Sequence, residues 1–199
     1  MSVQFLKRLC LSVCAVFITA VVAFSLGGRK DAIYAVKTVY YVVEPTESVA
    51  ASGGKIALRG GAGYPIADGV AFGVYFSEKE AEQIRRRLEG EYSEVMLYPV
   101  RLSFHSSEDS FAYTVLQIVE EWTKILQNGG AQAAVREGLQ SVVGLLSWRG
   151  KKENSTFLLI LCGELESCLS KKVLYVDRLR ELTCFGCEQL SLKNKMIRI

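Results

Sequence analysis

The chain has 199 residues, of which 50% are hydrophobic and 23% are charged, and its formal net charge at pH 7 is +3. This length suits one domain plus a tether or two small domains, and this hydrophobic content excludes a wholly disordered chain. The small net charge and the absence of any Lys/Arg run longer than three residues give no basis for nucleic-acid binding, so we expect no nucleic-acid partner.

An uncharged, apolar segment extends from Leu9 to Leu26. A helix of about eighteen residues rises about 27 Å, which is close to the thickness of a bilayer's hydrocarbon core. The segment therefore predicts that residues 1–30 form a single-pass membrane anchor, with the lipid bilayer as a partner.

Basic pairs at positions 7–8 and 29–30 flank this segment and balance each other, so they do not set its orientation. The short stub before the segment favours insertion with the bulk of the chain on the extracytoplasmic side. A cleaved signal peptide is the alternative, because Ala23 to Ser25 is a small-x-small site.

Strand patterns dominate the next part of the chain. The runs Ile33–Val43 and Val70–Phe76 are rich in β-branched and aromatic residues, which favour strands. Between them, Thr46–Ala51 predicts a short helix and Lys55–Leu58 a short strand. The glycine-rich stretch Gly60–Gly63 predicts a turn or bulge that requires positive φ, since no phosphate-loop pattern continues from it.

A capping box then begins a helix, because Ser77 is followed three residues later by Glu80. Ala81, Ile84 and Leu88 recur at helical spacing and give that helix one apolar face. The segment Glu94–Leu102 predicts the next strand.

The remainder of the chain has helical periodicity. Ser106 and Asp109 form a second capping-box candidate, and Arg149–Lys152 reads as a loop between two later helices. The run Phe157–Cys162 is also consistent with a strand, since periodicity does not decide so short a run. Apolar spacing and breakers place helices over residues 107–127, 132–148, 154–169 and 172–190.

Residues 36–102 resemble a SPOR domain, the small βαββαβ module of bacterial envelope proteins. The resemblance rests on the strand, Phe-Ser cap and EAE helix start of Val70–Glu82, on the opening strand Tyr40–Val43 and on the closing strand Val95–Tyr98. The chain has Gly69 where the family often has Arg. The predicted fold class is α+β: an N-terminal transmembrane helix, a SPOR-like sandwich in residues 33–102 and a C-terminal helical extension in residues 106–193.

The resemblance implies binding of peptidoglycan glycan strands on the exposed face of the sheet, during cell division or sporulation. Envelope proteins are the alternative partners, for a degenerate interaction module whose sheet is covered by its own helical tail. No catalytic role or cofactor is expected. The candidate ligand-binding residues are the outward aromatic and basic side chains Tyr41, Arg59, Tyr64, Tyr75 and Arg101.

The late cysteines form a C-x-x-C pair, Cys184 and Cys187, preceded by Cys162 and Cys168. Buried free thiols, disulfides and a zinc site are all consistent with four such residues, although the first pair lacks a usual zinc-knuckle spacing. We predict no metal. The single histidine, His105, lies next to a predicted strand end without the neighbours of a catalytic triad, so the residue pattern predicts a protein that is not an enzyme.

Overall fold

Four strands form one antiparallel sheet within residues 35–46, 60–66, 69–89 and 94–196, the parts of the chain that the computed structural model describes. The strands are β1 (Ala35–Pro45), β2 (Tyr64–Ile66), β3 (Gly69–Tyr75) and β4 (Met96–Phe104). Their order in the sheet is β2-β3-β1-β4. Strand β3 lies between β1 and β2, and β1 lies between β3 and β4, which is a split βαβ arrangement.

A bulge interrupts the pairing of the two central strands. Val42 pairs with Gly73 and Val43 with Ala71, so Phe72 has no partner opposite it in this register. The turn that leads into β2 has the predicted backbone, since Gly60 and Gly63 adopt φ angles of 75° and 59°.

The described helices are α1 (Glu78–Glu89), α2 (Ser107–Gln127), α3 (Gln132–Glu153), α4 (Thr156–Ser170) and α5 (Val176–Met196). Helix α1 packs on one face of the sheet, where Val42, Ala81 and Leu88 belong to one buried cluster. Helix α2 packs against α5 and α3, α3 packs against α4, and α5 lies against β2, β3 and β4. The described residues form one compact unit.

Both helices begin where the capping boxes predict, and a side-chain cap is found at Ser106. At the start of α1, the amide of Ala81 donates to the backbone carbonyl of Ser77 at 3.0 Å, which is an ordinary first-turn helix bond. At α2, the amide of Asp109 donates to Ser106 Oγ at 3.1 Å. The carboxylate of Asp109 accepts from the amide of His105 at 3.2 Å, one residue before the cap.

The predicted fold class was wrong in its membrane-spanning helix. Among the helices of the described ranges, none is long and apolar enough to cross a membrane. Helices α2, α3 and α5 have 21 or 22 residues but carry charged side chains, and α4, the most apolar, has only 15 residues. The segment Leu9–Leu26 lies outside the described residues, as do the predicted strand Lys55–Leu58 and all but the first residue of the predicted helix Thr46–Ala51.

The predicted loop at residues 149–152 was also wrong, because α3 continues through it to Glu153. The guanidinium of Arg149 lies 4.4 Å from the ring centre of Phe111, and its Nε is 2.9 Å from the Glu153 carboxylate. Gly150 packs directly on Leu159 of α4, where a side chain would collide. These contacts outweigh the weak helix propensity of glycine, and α3 ends only at Asn154, which has a φ of 50°. Phe157–Cys162, the segment with a strand alternative, is helical.

Candidate functional site

The structure does not bring the five predicted ligand-binding residues together on one open face. Tyr41 is 4% exposed, and its hydroxyl donates to the carbonyl of Cys184 at 3.1 Å. Tyr75 is also buried in the core. Arg101 is exposed on β4, Tyr64 is half-buried on β2, and Arg59 lies outside the described residues.

Helix α5 covers the face of the sheet that lies opposite α1. Tyr41 and Val42 are adjacent on β1 and therefore point to opposite faces. Val42 packs with α1, whereas Tyr41 reaches α5. Val39 and Val43, which share the face of Tyr41, are also buried. A glycan therefore reaches Tyr41 only if α5 moves away.

The C-x-x-C sequence has a packing role within this cover. Gly186 lies so close to α2 that a Cβ atom there would stand 2.5 Å from Leu116 Cδ2. Cys184 and Cys187 are fully buried free thiols whose pKa values are raised, above all by burial. The interpretation as buried free thiols is confirmed for these two and for Cys162, whereas Cys168 is half-buried.

An open cleft of about 410 Å³ lies between β2, α4 and α5. Three aromatic side chains line it: Tyr64 from β2, Tyr175 from the connection before α5, and Phe185 from α5 itself. Aromatic side chains supply a large apolar surface, and the tyrosines add a polar tip. The cleft combines these aromatic rings with four charged side chains, so its lining is more polar than that of a usual small-molecule pocket.

The charges of this cleft are balanced. Glu164 and Glu181 face it together with Lys171 and Arg178, and Arg178 Nη1 lies 2.6 Å from the Glu181 carboxylate. These lining charges balance, and the carboxylate of Glu188 adds one negative charge at the rim. The lining therefore suits a ligand that carries hydroxyl or amide groups.

The hydroxyl of Tyr64 is fixed at the rim by a hydrogen bond that it donates to the carboxylate of Glu188. Partial burial and this hydrogen bond both raise the pKa of Tyr64. The hydroxyl therefore stays protonated at neutral pH, and the ring is held in one orientation. Such a fixed ring loses little conformational freedom when a ligand packs on it.

Sequence reasoning found Tyr64 but missed Tyr175 and Phe185. Tyr175 follows Lys171–Leu174, a short connection between two helices, and only its exposed aromatic ring hinted at a surface role. Phe185 lies between the two cysteines of the C-x-x-C sequence, and that motif was interpreted only through its thiols. No local pattern shows that β2 and the start of α5 meet.

Within the described parts of the chain, no group of three or more His, Cys, Asp or Glu side chains is placed to hold a metal ion. Comparison of the chain with family models, with curated proteins and with solved structures finds no match. The functional argument therefore rests on the geometry of the cleft and on the residue patterns.

Proposed function

We propose that this chain is a non-enzymatic binding protein of the bacterial cell envelope, which binds peptidoglycan glycan strands in the cleft between β2, α4 and α5. The observation that carries the proposal is the meeting of three aromatic rings with balanced charges in one open cleft. The SPOR resemblance of residues 36–102 supports the ligand class and a role in cell division or sporulation. Because α5 covers the sheet face, we place the glycan in the cleft and not on the sheet.

The chemistry of the cleft matches that of a sugar chain. The apolar faces of pyranose rings pack on aromatic rings, as Tyr175 and Phe185 offer here. Hydroxyl and acetamide groups then exchange hydrogen bonds with the carboxylates, guanidinium and ammonium groups of the rim. The contact is shallow, so long strands gain affinity by engaging several protein molecules at once.

Binding in this cleft does not include bond cleavage. A glycosidase needs a carboxyl group that is kept protonated by an apolar environment, together with a second carboxylate. Glu164 is exposed, and Glu181 is partly exposed and paired with Arg178, so neither lies in the apolar environment that such an acid requires. This arrangement supports binding without hydrolysis.

Co-sedimentation of the 199-residue chain with purified peptidoglycan sacculi tests this proposal. The wild-type chain is expected to pellet, and Tyr175→Ala is expected to weaken binding roughly fivefold, since an aromatic contact contributes about 1 kcal/mol. Trp148→Ala is the matched control, because Trp148 is 50% exposed and Tyr175 is 54% exposed, but Trp148 does not line the cleft. Equal retention of both variants would contradict the cleft as the binding site.

A second candidate is a protein-interaction module that does not bind glycan. The observation that favours it is the burial of Tyr41 beneath α5 and of Tyr75 in the cluster that includes Ala81 of α1, so neither ring is open to a glycan. Exposed apolar residues on other surfaces, such as Tyr98 and Ile160, would then contact the partner. The same experiment separates the two, since a wild-type chain that stays in the supernatant supports this second function.

A further inference from the structure

A group of charged and polar side chains is buried where β3, α2 and α5 meet. Tyr75, Glu120 and Arg180 come one from each element, and each is only 1% exposed. Both carboxylate oxygens of Glu120, the hydroxyl of Tyr75 and Nε of Arg180 have no hydrogen-bond partner among the described residues. Unpartnered polar atoms are rare in protein interiors because each one costs free energy when it is buried.

Arg180 is held by neutral groups and not by a carboxylate. Its Nη1 donates to the carbonyl of Gly60 at 2.7 Å, and its Nη2 donates to Gln127 Oε1 at 2.6 Å. The guanidinium also lies 4.8 Å from the ring centre of Phe72. These contacts hold the guanidinium outside hydrogen-bonding distance of Glu120, so its charge acts on the carboxylate only through space.

The groups that face Glu120 from neighbouring elements give it little further support. Lys124 is already engaged by two carboxylates, at 2.6 Å from Glu80 and 2.8 Å from Glu121. Both of these acids repel a negative charge on Glu120. The facing groups are Glu80 on α1, Glu121 and Lys124 on α2, Tyr75 on β3, and Arg180, Cys184 and Cys187 on α5.

The balance of these effects favours a neutral Glu120 in the closed structure. Burial raises the pKa of Glu120 to about 7, although the charges of Arg180 and Lys124 oppose this rise. Burial also keeps Tyr75, Cys184 and Cys187 protonated at neutral pH, since it raises their pKa values. Glu120 is therefore the member of this group whose charge changes near neutrality.

We propose that Glu120 is a protonation switch that controls how firmly α5 covers the sheet. With a protonated Glu120, α2 and α5 stay packed and the sheet face stays closed. Ionised Glu120 is a buried carboxylate to which no described residue donates a hydrogen bond, and opening of α5 lets water solvate it. Rising pH therefore increases the fraction of molecules in which Tyr41 and its face of the sheet are accessible.

Proton linkage sets the direction in which pH changes the opening equilibrium of α5. The open form exposes Glu120 to water, where its pKa is near 4.5, so between that value and about 7 the closed form binds the extra proton. The closed form is favoured below this window and progressively loses that advantage as pH rises through it. From pH 6 to pH 8, the opening equilibrium of α5 is expected to increase roughly tenfold.

Amide hydrogen exchange of the whole chain at pH 6 and pH 8, corrected for the intrinsic pH dependence of exchange, tests the switch. Amides in Leu179–Leu190 of α5 are expected to lose about tenfold protection at pH 8. Glu120→Gln, which is neutral at both pH values, removes this loss. Glu137→Gln on α3 is the matched control, since Glu137 is exposed and is not among the groups that face Glu120, and it keeps the loss seen in the wild type.

Equal corrected protection of α5 at the two pH values in the wild type would overturn the proposal, as would the same loss in Glu120→Gln. Helix α3, which contains the fully buried Leu139, is the internal reference within the wild-type chain. An equal loss of protection in α3 would show general destabilisation and would contradict a local opening. Both comparisons within the wild-type chain, between the two pH values and between α5 and α3, test the proposal even if a variant fails to fold.

Discussion

The two sides of α5 carry arginines under opposite conditions. On the outer side, Arg178 lies in the open cleft and pairs with Glu181, and both side chains are well exposed. On the inner side, Arg180 is buried against the sheet. Glu120, the acid buried with it, makes no hydrogen bond to it. The outer ion pair is accessible to a ligand, whereas the inner charges make the closed structure sensitive to pH.

This difference shows why charge pattern alone does not identify a site. Both arginines belong to one short sequence, Asp177-Arg178-Leu179-Arg180-Glu181, and both look like solvated helix residues. Packing on β3 removes Arg180 from water, while the helix rotation of about 200° between the two positions leaves Arg178 outside. Matched substitutions on the two sides of α5 therefore test the comparison directly.

The largest effect is expected for Arg180→Met compared with Arg178→Met. Arg180→Met keeps much of the side-chain volume but leaves Gly60, Gln127 and Glu120 without the guanidinium, so we expect a loss of about 3 kcal/mol in the free energy of unfolding. Arg178→Met removes a surface ion pair and is expected to cost no more than about 0.5 kcal/mol. Urea unfolding at pH 7 measures both, and equal losses would contradict the difference between the two sides.

A smaller effect is expected at the contact between α5 and α2. Gly186→Leu places a side chain against Leu116 and is expected to lower the free energy of unfolding by about 2 kcal/mol. Gly163→Leu on α4 is the control, because a Cβ there meets nothing within 4 Å, and it is expected to stabilise the helix by up to about 1 kcal/mol. Thermal unfolding of the two variants measures the contrast, and a Gly186→Leu variant as stable as the wild type would show that α5 does not pack closely on α2.

Much of the local structure was predictable because its signals are local. The caps at Ser77 and Ser106 mark the starts of α1 and α2, and the β-branched run after Ile33 marks β1. The turn at Gly60 was predictable because only glycine adopts its backbone angles readily.

The site was harder to predict because it depends on contacts between distant segments. A tyrosine on a strand has the same sequence context whether its face is open or covered, so Tyr41 and Tyr75 gave no sign that they were buried. The helical state of residues 149–152 depends on Phe111 and on α4, which no local window contains. Tyr64 and Tyr175 meet in the cleft only because α5 folds back on β2.

The central claim is that glycan binds in the cleft and not on the sheet. Backbone NMR of the isotope-labelled chain, titrated with solubilised peptidoglycan glycan strands, tests it most directly. The account predicts chemical-shift changes at Tyr64, Tyr175 and Arg178, with none at Tyr98 and Arg101 on the exposed part of β4. Shift changes confined to β4, or none anywhere at saturating glycan, would contradict it.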